Sequence, residues 1–410
     1  MSGRVVVANP GSVPEMVHMA NALAHAGALR AYVAPFSPTL AEIEANRLGG
    51  LGPVGRALNN QLRRRAVSEP VGGAERHGVA QAREIAVVAA LRFGLPEVVI
   101  GELFRWRNQA FAAAVAHLLR PLDTGLIIPS SAALRPLQES RRLGIHSWLD
   151  CPTAHHRYAA RLLHEEMELQ PDFAATMQYP ASTPALARQL EGEIAAADDL
   201  IVLSNFQART FADEGVQASR IHVLPLGVDV ELFRPANRTR DGTFTIGFVG
   251  QLTQRKGISY LLAAFEALRP AGSRLLMVGR PVGSQRPWLR RGVEHHGPVA
   301  RWKLPPFYQQ MDVFVLPSLV EGFPQTALEA MACGVPVIVS ENTFGTDVVI
   351  DGYNGYVVPI RDVDAIVDHL RVLADDESLR SALATNARAT AEQFTWNAFS
   401  RRLLELVGCP

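Results

Sequence analysis

The sequence is poor in lysine and has no excess of either charge. Its two lysines are Lys256 and Lys303, so the other 38 of its 40 basic residues are arginines. We attribute this bias to genome composition. Because lysine is so rare in this chain, each of its two lysines is a candidate for a functional residue. The 40 basic residues balance 40 acidic ones, and the pI is near 7.2. The chain therefore has no net positive charge that would attract nucleic acid, and we expect no nucleic-acid partner.

Cysteines and long apolar runs are also scarce. The three cysteines, Cys151, Cys333 and Cys409, are too few for a disulfide framework, and none has the spacing of a metal site. We therefore expect a reducing, cytoplasmic setting and no bound metal. The first apolar run stops at Pro10, and no run approaches the roughly eighteen residues of a spanning segment. We expect neither a signal peptide nor a transmembrane helix.

Length and patterning predict two domains. At 410 residues and 48% apolar residues, the chain is too long for one ordinary core. Short apolar runs alternate with stretches of helical period, as in parallel sheets covered by helices, so we predict an α/β fold with two doubly wound lobes. The predicted parts are an N-terminal domain at 1–226, a linker at 227–243, a C-terminal domain at 244–394 and a last helix at 395–410.

The apolar runs place the strands. In the first lobe they predict strands at Arg4–Ala8, Leu29–Val33, Gly125–Ile128, Ile145–Leu149, Leu200–Leu203 and Ile221–Leu224. In the second lobe they predict strands at Phe244–Val249, Arg274–Val278, Val313–Leu316, Pro336–Val339 and Gly355–Val358.

An arginine-rich stretch divides the first lobe. Residues 47–120 carry eleven arginines against five acidic residues, and we interpret them as insertions on the acceptor side. Arginines beside Phe104 and Trp106 are compatible with contact to anionic lipid at the inner face of a membrane. An ordinary solvated helical face is the simpler alternative.

The most informative segment contains two glutamates. Glu321 should lie on the loop after the strand Val313–Leu316, and Glu329 in the next helix, which should begin near Pro324. Open sheets bind ligands beyond the carboxyl ends of their strands, and a helix N-terminus favours an anion such as a diphosphate. Carboxylates there are suited to the hydroxyl groups of a sugar or ribose. In the alternative, Glu321 caps the helix and Glu329 is a solvated surface residue. The small residues after Glu329 disfavour a solvated Glu329, because they indicate a helix face that packs closely.

Two further segments carry candidate chemistry. Arg255 and Lys256 lie on a loop after the strand that ends at Gly250, where they could neutralise a pyrophosphate leaving group without a metal. A surface charge pair is the alternative. His155 and His156 follow a buried strand without any metal-ligand spacing. They fit contact with a sugar hydroxyl or phosphate as well as they fit a structural turn.

Together these segments resemble the retaining GT-B glycosyltransferases of the group 1 (family 4) type, which include sucrose-phosphate synthases and many bacterial cell-surface glycosyltransferases. The resemblance covers about residues 140–400 and is carried by DCPTAHHRY, LPLGVDVELFRP, FVGQLTQRKG and EGFPQTALEAMACG, with its two glutamates at the E-x7-E spacing. It implies two Rossmann-like lobes that face each other across a cleft, with the last helix at 395–410 crossing back to the first lobe. It also implies metal-independent transfer of a sugar from a nucleotide-diphosphate sugar to an acceptor hydroxyl, with retention of anomeric configuration.

The resemblance also implies roles for residues. Its catalytic candidates are His155, at the donor sugar, Glu321, at the sugar hydroxyls, and Arg255 and Lys256, at the diphosphate. Donor binding is implied for Gly250, Phe323, Pro324, Gln325, Thr326 and Glu329, with Glu329 at the ribose and the backbone N–H groups of 323–325 facing sugar and phosphate. A sugar or acceptor loop is implied at Gly11 and Ser12. No cofactor or metal is implied.

The chain departs from the family pattern in three places. Gln251 stands where many members have arginine, Pro324 where many have glycine, and the Gly-Gly loop after the first strand is replaced by Asn9-Pro10-Gly11-Ser12. The nucleotide, the sugar and the acceptor, whether a glycan, a lipid-linked sugar or a small molecule, stay open. A non-catalytic nucleotide-sugar-binding scaffold is the principal alternative. A sugar-nucleotide 2-epimerase would need acid/base residues in the first lobe that form no recognisable motif here.

Overall fold

The structure is a computed structural model, and it describes residues 4–11, 13–35, 74–177, 183–236, 242–268, 272–282 and 292–409. Within these ranges the strands are β1 Val5–Ala8, β2 Leu29–Ala34, β3 Glu75–Gly78, β4 Gly125–Pro129, β5 His146–Cys151, β6 Asp199–Val202, β7 Ile221–Val223, β8 Phe244–Val249, β9 Ser273–Val278, β10 Val293–His296, β11 Val313–Leu316, β12 Val337–Ser340 and β13 Gly355–Val358.

The helices alternate with these strands along the chain. They are α1 Pro14–His25, α2 Gln81–Phe93, α3 Glu97–Leu118, α4 Leu134–Leu143, α5 His156–Leu169, α6 Pro184–Ala196, α7 Asn205–Asp213, α8 Ile258–Leu268, α9 Pro305–Tyr308, α10 Gln325–Ala332, α11 Gly345–Val348, α12 Val363–Asp375, α13 Glu377–Ala391 and α14 Trp396–Leu406. Short 3-10 turns include Pro171–Thr176, Gln254–Lys256 and Arg301–Lys303.

Both sheets have the strand order of a doubly wound fold. The first runs β3-β2-β1-β4-β5-β6-β7, and the second runs β10-β9-β8-β11-β12-β13. In the first, β1 pairs in parallel with both β2 and β4, and in the second, β8 pairs in parallel with both β9 and β11. Because parallel crossovers are right-handed, reversing the direction of winding at β1 and at β8 places helices on both faces of each sheet. The predicted pair of Rossmann-like sheets is confirmed.

The apolar strand predictions hold because the central strands are buried on both faces. Every residue of β1 and of β11 is buried. Two strands were missed, β3 with the sequence ERHG and β10 with VEHH. Each lies at the edge of its sheet and is at most half-buried, so polar residues are tolerated there and no apolar run marks the strand.

The chain folds into two compact units. The first unit comprises Met1–Cys151, Pro184–Ile201 and Ser400–Pro410, and the second comprises Pro152–Thr183 and Val202–Phe399. The second unit therefore contains His155 together with the loops that follow β8 and β11.

The described part of the arginine-rich stretch forms β3, α2 and α3 in the first unit. Arg105 and Trp106 are exposed, whereas Arg107 is buried and its Nη1 donates to Glu84 at 2.7 Å. The guanidinium of Arg83 lies over the Trp106 ring, 4.4 Å from its centroid. Residues 47–73 lie outside the described ranges. Among the helices that the structure describes, none has the length and apolar character needed to cross a membrane.

Candidate active site

The candidate site is built at the point where the second sheet reverses its winding. β8 and β11 are neighbours there, and the loops after their carboxyl ends carry Arg255 with Lys256 and Glu321, respectively. Ligands of doubly wound sheets bind at this place because the loops diverge and leave a crevice beside free backbone groups. The topology thus brings together two segments that are about 65 residues apart in sequence.

Two glycines shape the turn between β8 and α8. Gly250 has φ 153°, and an added Cβ would lie 3.2 Å from Cδ of Lys256, so its bare Cα makes room for the lysine stem. Gly257 has φ 70°, and an added Cβ there would overlap the carbonyl oxygen of Pro317. Only glycine fits this second position, where the turn Gln254–Lys256 passes into α8.

Arg255 and Lys256 converge on one oxygen of Glu321. Arg255 Nη1 lies 2.6 Å and Lys256 Nζ 2.8 Å from Glu321 Oε1, and Arg255 Nη1 also donates to the carbonyl of Val320 at 3.0 Å. The exposed fractions of the arginine, lysine and glutamate side chains are 21%, 12% and 12%. The cluster carries one negative and two positive charges, so it keeps a net positive charge in a mostly buried place.

The charges in this cluster perturb one another. Burial alone would raise the pKa of Glu321, but Arg255 and Lys256 outweigh burial and hold that pKa below its ordinary value. The pKa of Lys256 is lowered, chiefly by burial, although Glu321 opposes this shift. The geometry excludes the alternative that Glu321 caps α10, because its side chain turns to the two cations and the N-cap is Pro324.

The loop after Glu321 packs against the segment that carries His155. An added Cβ on Gly322 would overlap the carbonyl oxygen of Pro152, so the close approach requires glycine. His155 is the N-cap of α5 and is 4% exposed. Its Nδ1 accepts the backbone N–H of Arg157 at 3.3 Å, which places the proton of the neutral ring on Nε2. The contact of His155 with a donor sugar stays a prediction.

Helix α10 begins where the sequence predicted. Pro324 precedes its first residue, Gln325, and the carbonyl of Pro324 accepts the N–H groups of Ala327 and Leu328. The backbone N–H groups of Phe323, Gln325 and Thr326 donate to no residue in the described ranges, and Oγ1 of Thr326 is buried without a partner there. Since proline has no N–H, the expectation of donors across 323–325 is corrected at Pro324. Unpaired donors at a helix N-terminus favour an anion.

Glu329 is buried inside α10 and is 2% exposed, which excludes a solvated surface residue. Arg301 Nε donates to its Oε1 at 2.7 Å and the Tyr308 hydroxyl to its Oε2 at 2.8 Å. Burial raises the pKa of Glu329 even though both partners act to lower it. Each carboxylate oxygen retains a second lone pair, so the network can still accept a ribose hydroxyl.

The predicted loop in the first unit is only partly described. Gly11 follows β1, and its N–H donates to Oδ1 of Asn9 at 3.1 Å, while an added Cβ on Gly11 would meet nothing within 4 Å. Ser12 lies outside the described residues. The candidate role of this loop stays a prediction.

Two polar partners of the site were missed by the sequence reasoning. Arg301 orders the carboxylate of Glu329, and Glu166, on α5, accepts a hydrogen bond from Nε2 of Gln254, the first residue of the turn Gln254–Lys256. A sequence signal existed for Glu166, since it continues the buried stripe of His156, Ala159 and Leu163 at helical spacing. Arg301 gave no such signal, because only the fold brings it to Glu329.

Sheet order, winding and the position of the site define a GT-B type of protein. The family model "Glycosyl transferases group 1" matches residues 243–376, which contain β8 through β13. The predicted resemblance to the glycosyl transferases of group 1 is confirmed over these residues.

Two relatives in sequence are named as glycosyltransferases. The D-inositol 3-phosphate glycosyltransferase of Xylanimonas cellulosilytica is 32% identical over 258 residues, which are 55% of this chain and 61% of the relative. The capsular polysaccharide biosynthesis glycosyltransferase CapM of Staphylococcus aureus is 28% identical over 235 residues, 51% of this chain and 59% of the relative. The chain thus spans about three fifths of the length of these curated relatives.

Solved structures confirm the fold over nearly the whole chain. Sucrose-phosphate synthase from Thermosynechococcus elongatus has a TM-score of 0.62 at 18% identity and covers 98% of both chains. HepE from Anabaena, solved in complex with UDP, has a TM-score of 0.64 at 15% identity and covers 99% of both chains. At these identities the likeness establishes the GT-B fold and nothing finer.

Proposed function

We propose that the chain is a glycosyltransferase that transfers a sugar from a nucleotide-diphosphate sugar to an acceptor hydroxyl, without a metal and with retention of anomeric configuration. The observation that carries this proposal is the convergence of Arg255 and Lys256 on Glu321 at the switch point of the second sheet. The unpaired backbone donors at the start of α10 lie on the same loop as Glu321. Positive charge that could bind a diphosphate and a carboxylate that could accept from sugar hydroxyl groups thus occur in one place.

The diphosphate gains negative charge as the sugar departs. Arg255, Lys256 and the free N–H groups of Gln325 and Thr326 are fixed positive charges and dipoles that stabilise this charge more in the transition state than in the ground state. This supports a metal-independent reaction, because the side chains themselves supply the neutralising charge.

Glu321 is suited to hold the departing sugar. Its Oε1 is engaged by the two cations, whereas its Oε2 accepts no hydrogen bond from any residue the structure describes. Oε2 would accept from a sugar hydroxyl, and His155 would contact the sugar as the family resemblance implies. In the front-side course that the family resemblance implies, the leaving phosphate takes the acceptor proton, so no side chain is needed as a nucleophile.

The relatives support a hydroxyl acceptor but leave its class open. Two of them are named as glycosyltransferases for an inositol phosphate and for a capsular polysaccharide. We retain a glycan, a lipid-linked sugar or a small molecule as the acceptor, in a cytoplasmic enzyme whose contact with anionic membranes a vesicle flotation assay tests. Nucleotide-sugar donors are supported by HepE, which was solved with UDP and with UDP-glucose.

A donor screen tests the proposal. UDP-, GDP-, ADP- and dTDP-sugars are added to the purified chain in excess chelator, and both melting temperature and release of nucleoside diphosphate are followed. We expect one donor class to stabilise and to be consumed slowly, and both effects to weaken in Glu321→Ala and Lys256→Ala. Stabilisation without turnover, with every acceptor class supplied, would favour the binding scaffold, and conversion to an epimeric sugar would favour the 2-epimerase. NMR of the fresh product gives its anomeric configuration, and inversion would contradict retention.

A further inference from the structure

Glu166 is a completely buried carboxylate in the second unit, close to the candidate site but outside it. It lies on α5 and has no solvent exposure. Its Oε1 accepts from Nε2 of Gln254 at 2.6 Å and from the hydroxyl of Tyr260 at 2.8 Å, and its Oε2 accepts from Nε of Arg361 at 2.8 Å. A buried charge requires such partners, and they are drawn from segments far from α5 in sequence.

Gln254 connects this cluster to the phosphate turn. It is the first residue of the turn Gln254–Lys256 and is itself fully buried. Its backbone N–H donates to Oγ1 of Thr176 at 2.9 Å, and its side chain exchanges hydrogen bonds with Ser259 at 2.6 and 3.2 Å in addition to the bond to Glu166. The residue directly before Arg255 is therefore held through both its backbone and its side chain.

Arg361 compensates the charge of Glu166. Its guanidinium also binds the exposed Glu165 at 3.1 Å, and its backbone has φ 67°, a conformation that glycine adopts more readily. The presence of arginine where glycine would be less strained is consistent with a requirement for the guanidinium group that binds Glu166. Because Arg361 neutralises the buried Glu166, and Glu165 is exposed to solvent, the ion pair of Glu166 and Arg361 adds no net charge to the cluster of Arg255, Lys256 and Glu321.

We propose that Glu166 is a positioning residue, which through Gln254 fixes the turn that presents Arg255 and Lys256 to the donor diphosphate. The inference rests on the proposed function, since that proposal assigns the diphosphate to these two cations. Glu166 does not touch the diphosphate, and its effect passes through the side chain of Gln254.

The affinities of nucleoside diphosphates relative to monophosphates test this role. Isothermal titration of UDP and UMP, GDP and GMP, and ADP and AMP gives two Kd values for each base. The ratio of the monophosphate Kd to the diphosphate Kd measures what the second phosphate contributes to binding. In Glu166→Ala we expect this ratio to fall about tenfold, the size of one charge-assisted hydrogen bond, while the monophosphate affinity changes little. A merely structural role would reduce the folded fraction and lower both affinities alike, leaving their ratio unchanged.

Three further variants are measured beside Glu166→Ala, and the first two serve as controls. Glu165→Ala removes the neighbouring, 58% exposed carboxylate that also binds Arg361, and we expect it to leave the ratio unchanged. Glu193→Gln alters a buried carboxylate in the first unit that caps α4, and it should lower stability without changing the ratio. Gln254→Ala should lower the ratio as much as Glu166→Ala does. The double variant should lower it no further than either single variant, because Glu166 acts through Gln254.

The outcomes are distinct. An unchanged ratio in Glu166→Ala, or an equal fall in Glu165→Ala, overturns the positioning role while the donor site stands. If Glu166→Ala does not fold, Glu166→Gln and Gln254→Ala measure the same ratio, and an unchanged ratio in both overturns the role. If the folded wild type binds no nucleoside diphosphate, the proposed function fails and this inference fails with it.

Discussion

Replacing Lys256 by methionine should weaken diphosphate binding strongly and specifically. Methionine keeps most of the apolar stem that lies over Gly250, while it removes the ammonium that sits 2.8 Å from Glu321. The net charge of the cluster of Arg255, Lys256 and Glu321 falls from +1 to zero. The second lysine, Lys303, is exposed on another turn, so Lys303→Met is a control of the same chemistry.

The magnitude follows from the interaction that is lost. A hydrogen bond to a charged group contributes about 1.5–3 kcal/mol net, and the small exposure of Lys256 (12%) leaves little screening by water. We therefore expect the Kd of the nucleoside diphosphate to rise by about ten- to 150-fold in Lys256→Met. Turnover should fall further, since charge on the leaving group increases in the transition state.

Isothermal titration with UDP, GDP and ADP, in chelator and at two salt concentrations, measures this difference. Wild type and Lys303→Met should agree within about threefold, since the charge of an exposed side chain is screened by water and salt. Equal affinities for Lys256→Met and Lys303→Met would refute the assignment of the diphosphate to the turn after β8.

Three further predictions concern the same site. Gly257→Ala should lower the melting temperature or abolish folding, because the added Cβ meets the Pro317 carbonyl and φ is positive; an unchanged melting curve would contradict this. The pKa of Glu321 is lowered, so its stabilisation is present above the pKa of an unfolded carboxyl and is lost as pH falls through the folded pKa. The difference in unfolding free energy between wild type and Glu321→Gln, measured in urea, should therefore shrink toward acid pH, and a growing difference would be inconsistent with the ion pairs. Glu329→Gln should reduce the preference for ribonucleotides over 2′-deoxynucleotides by about tenfold, one hydrogen bond to a charged group, and an unchanged preference in competition binding would remove Glu329 from the ribose.

The sequence predicted the central architecture because buried parallel strands are short apolar runs. The bounds of β8, β11 and β13 agree with their predictions to the residue, and α10 begins one residue after Pro324. The edge strand β10 could not be found this way, since VEHH has neither an apolar run nor an alternating pattern.

The site was predictable where a motif marked it and not where only tertiary contacts define it. Glu321 and Lys256 stood in recognisable segments, and the structure brings them within 2.8 Å. Arg301 contacts Glu329 although α9 and β11 lie between them in the chain, and sequence spacing contains no information on that pairing. Glu166 lay within reach of sequence reasoning, because its position on the buried stripe of α5 marks a carboxylate that needs partners.

The release of nucleoside diphosphate from nucleotide-diphosphate sugars, measured with all metals chelated, decides whether the chain is a metal-independent glycosyltransferase. We expect the wild type to release the diphosphate from one donor class, slowly with water alone and faster with an acceptor hydroxyl. Release should be lost in Glu321→Gln and strongly reduced in Lys256→Met, while Lys303→Met behaves as wild type. A folded wild type that neither binds nor cleaves any of the UDP-, GDP-, ADP- and dTDP-sugars, or variants that release diphosphate at the wild-type rate, would contradict this function.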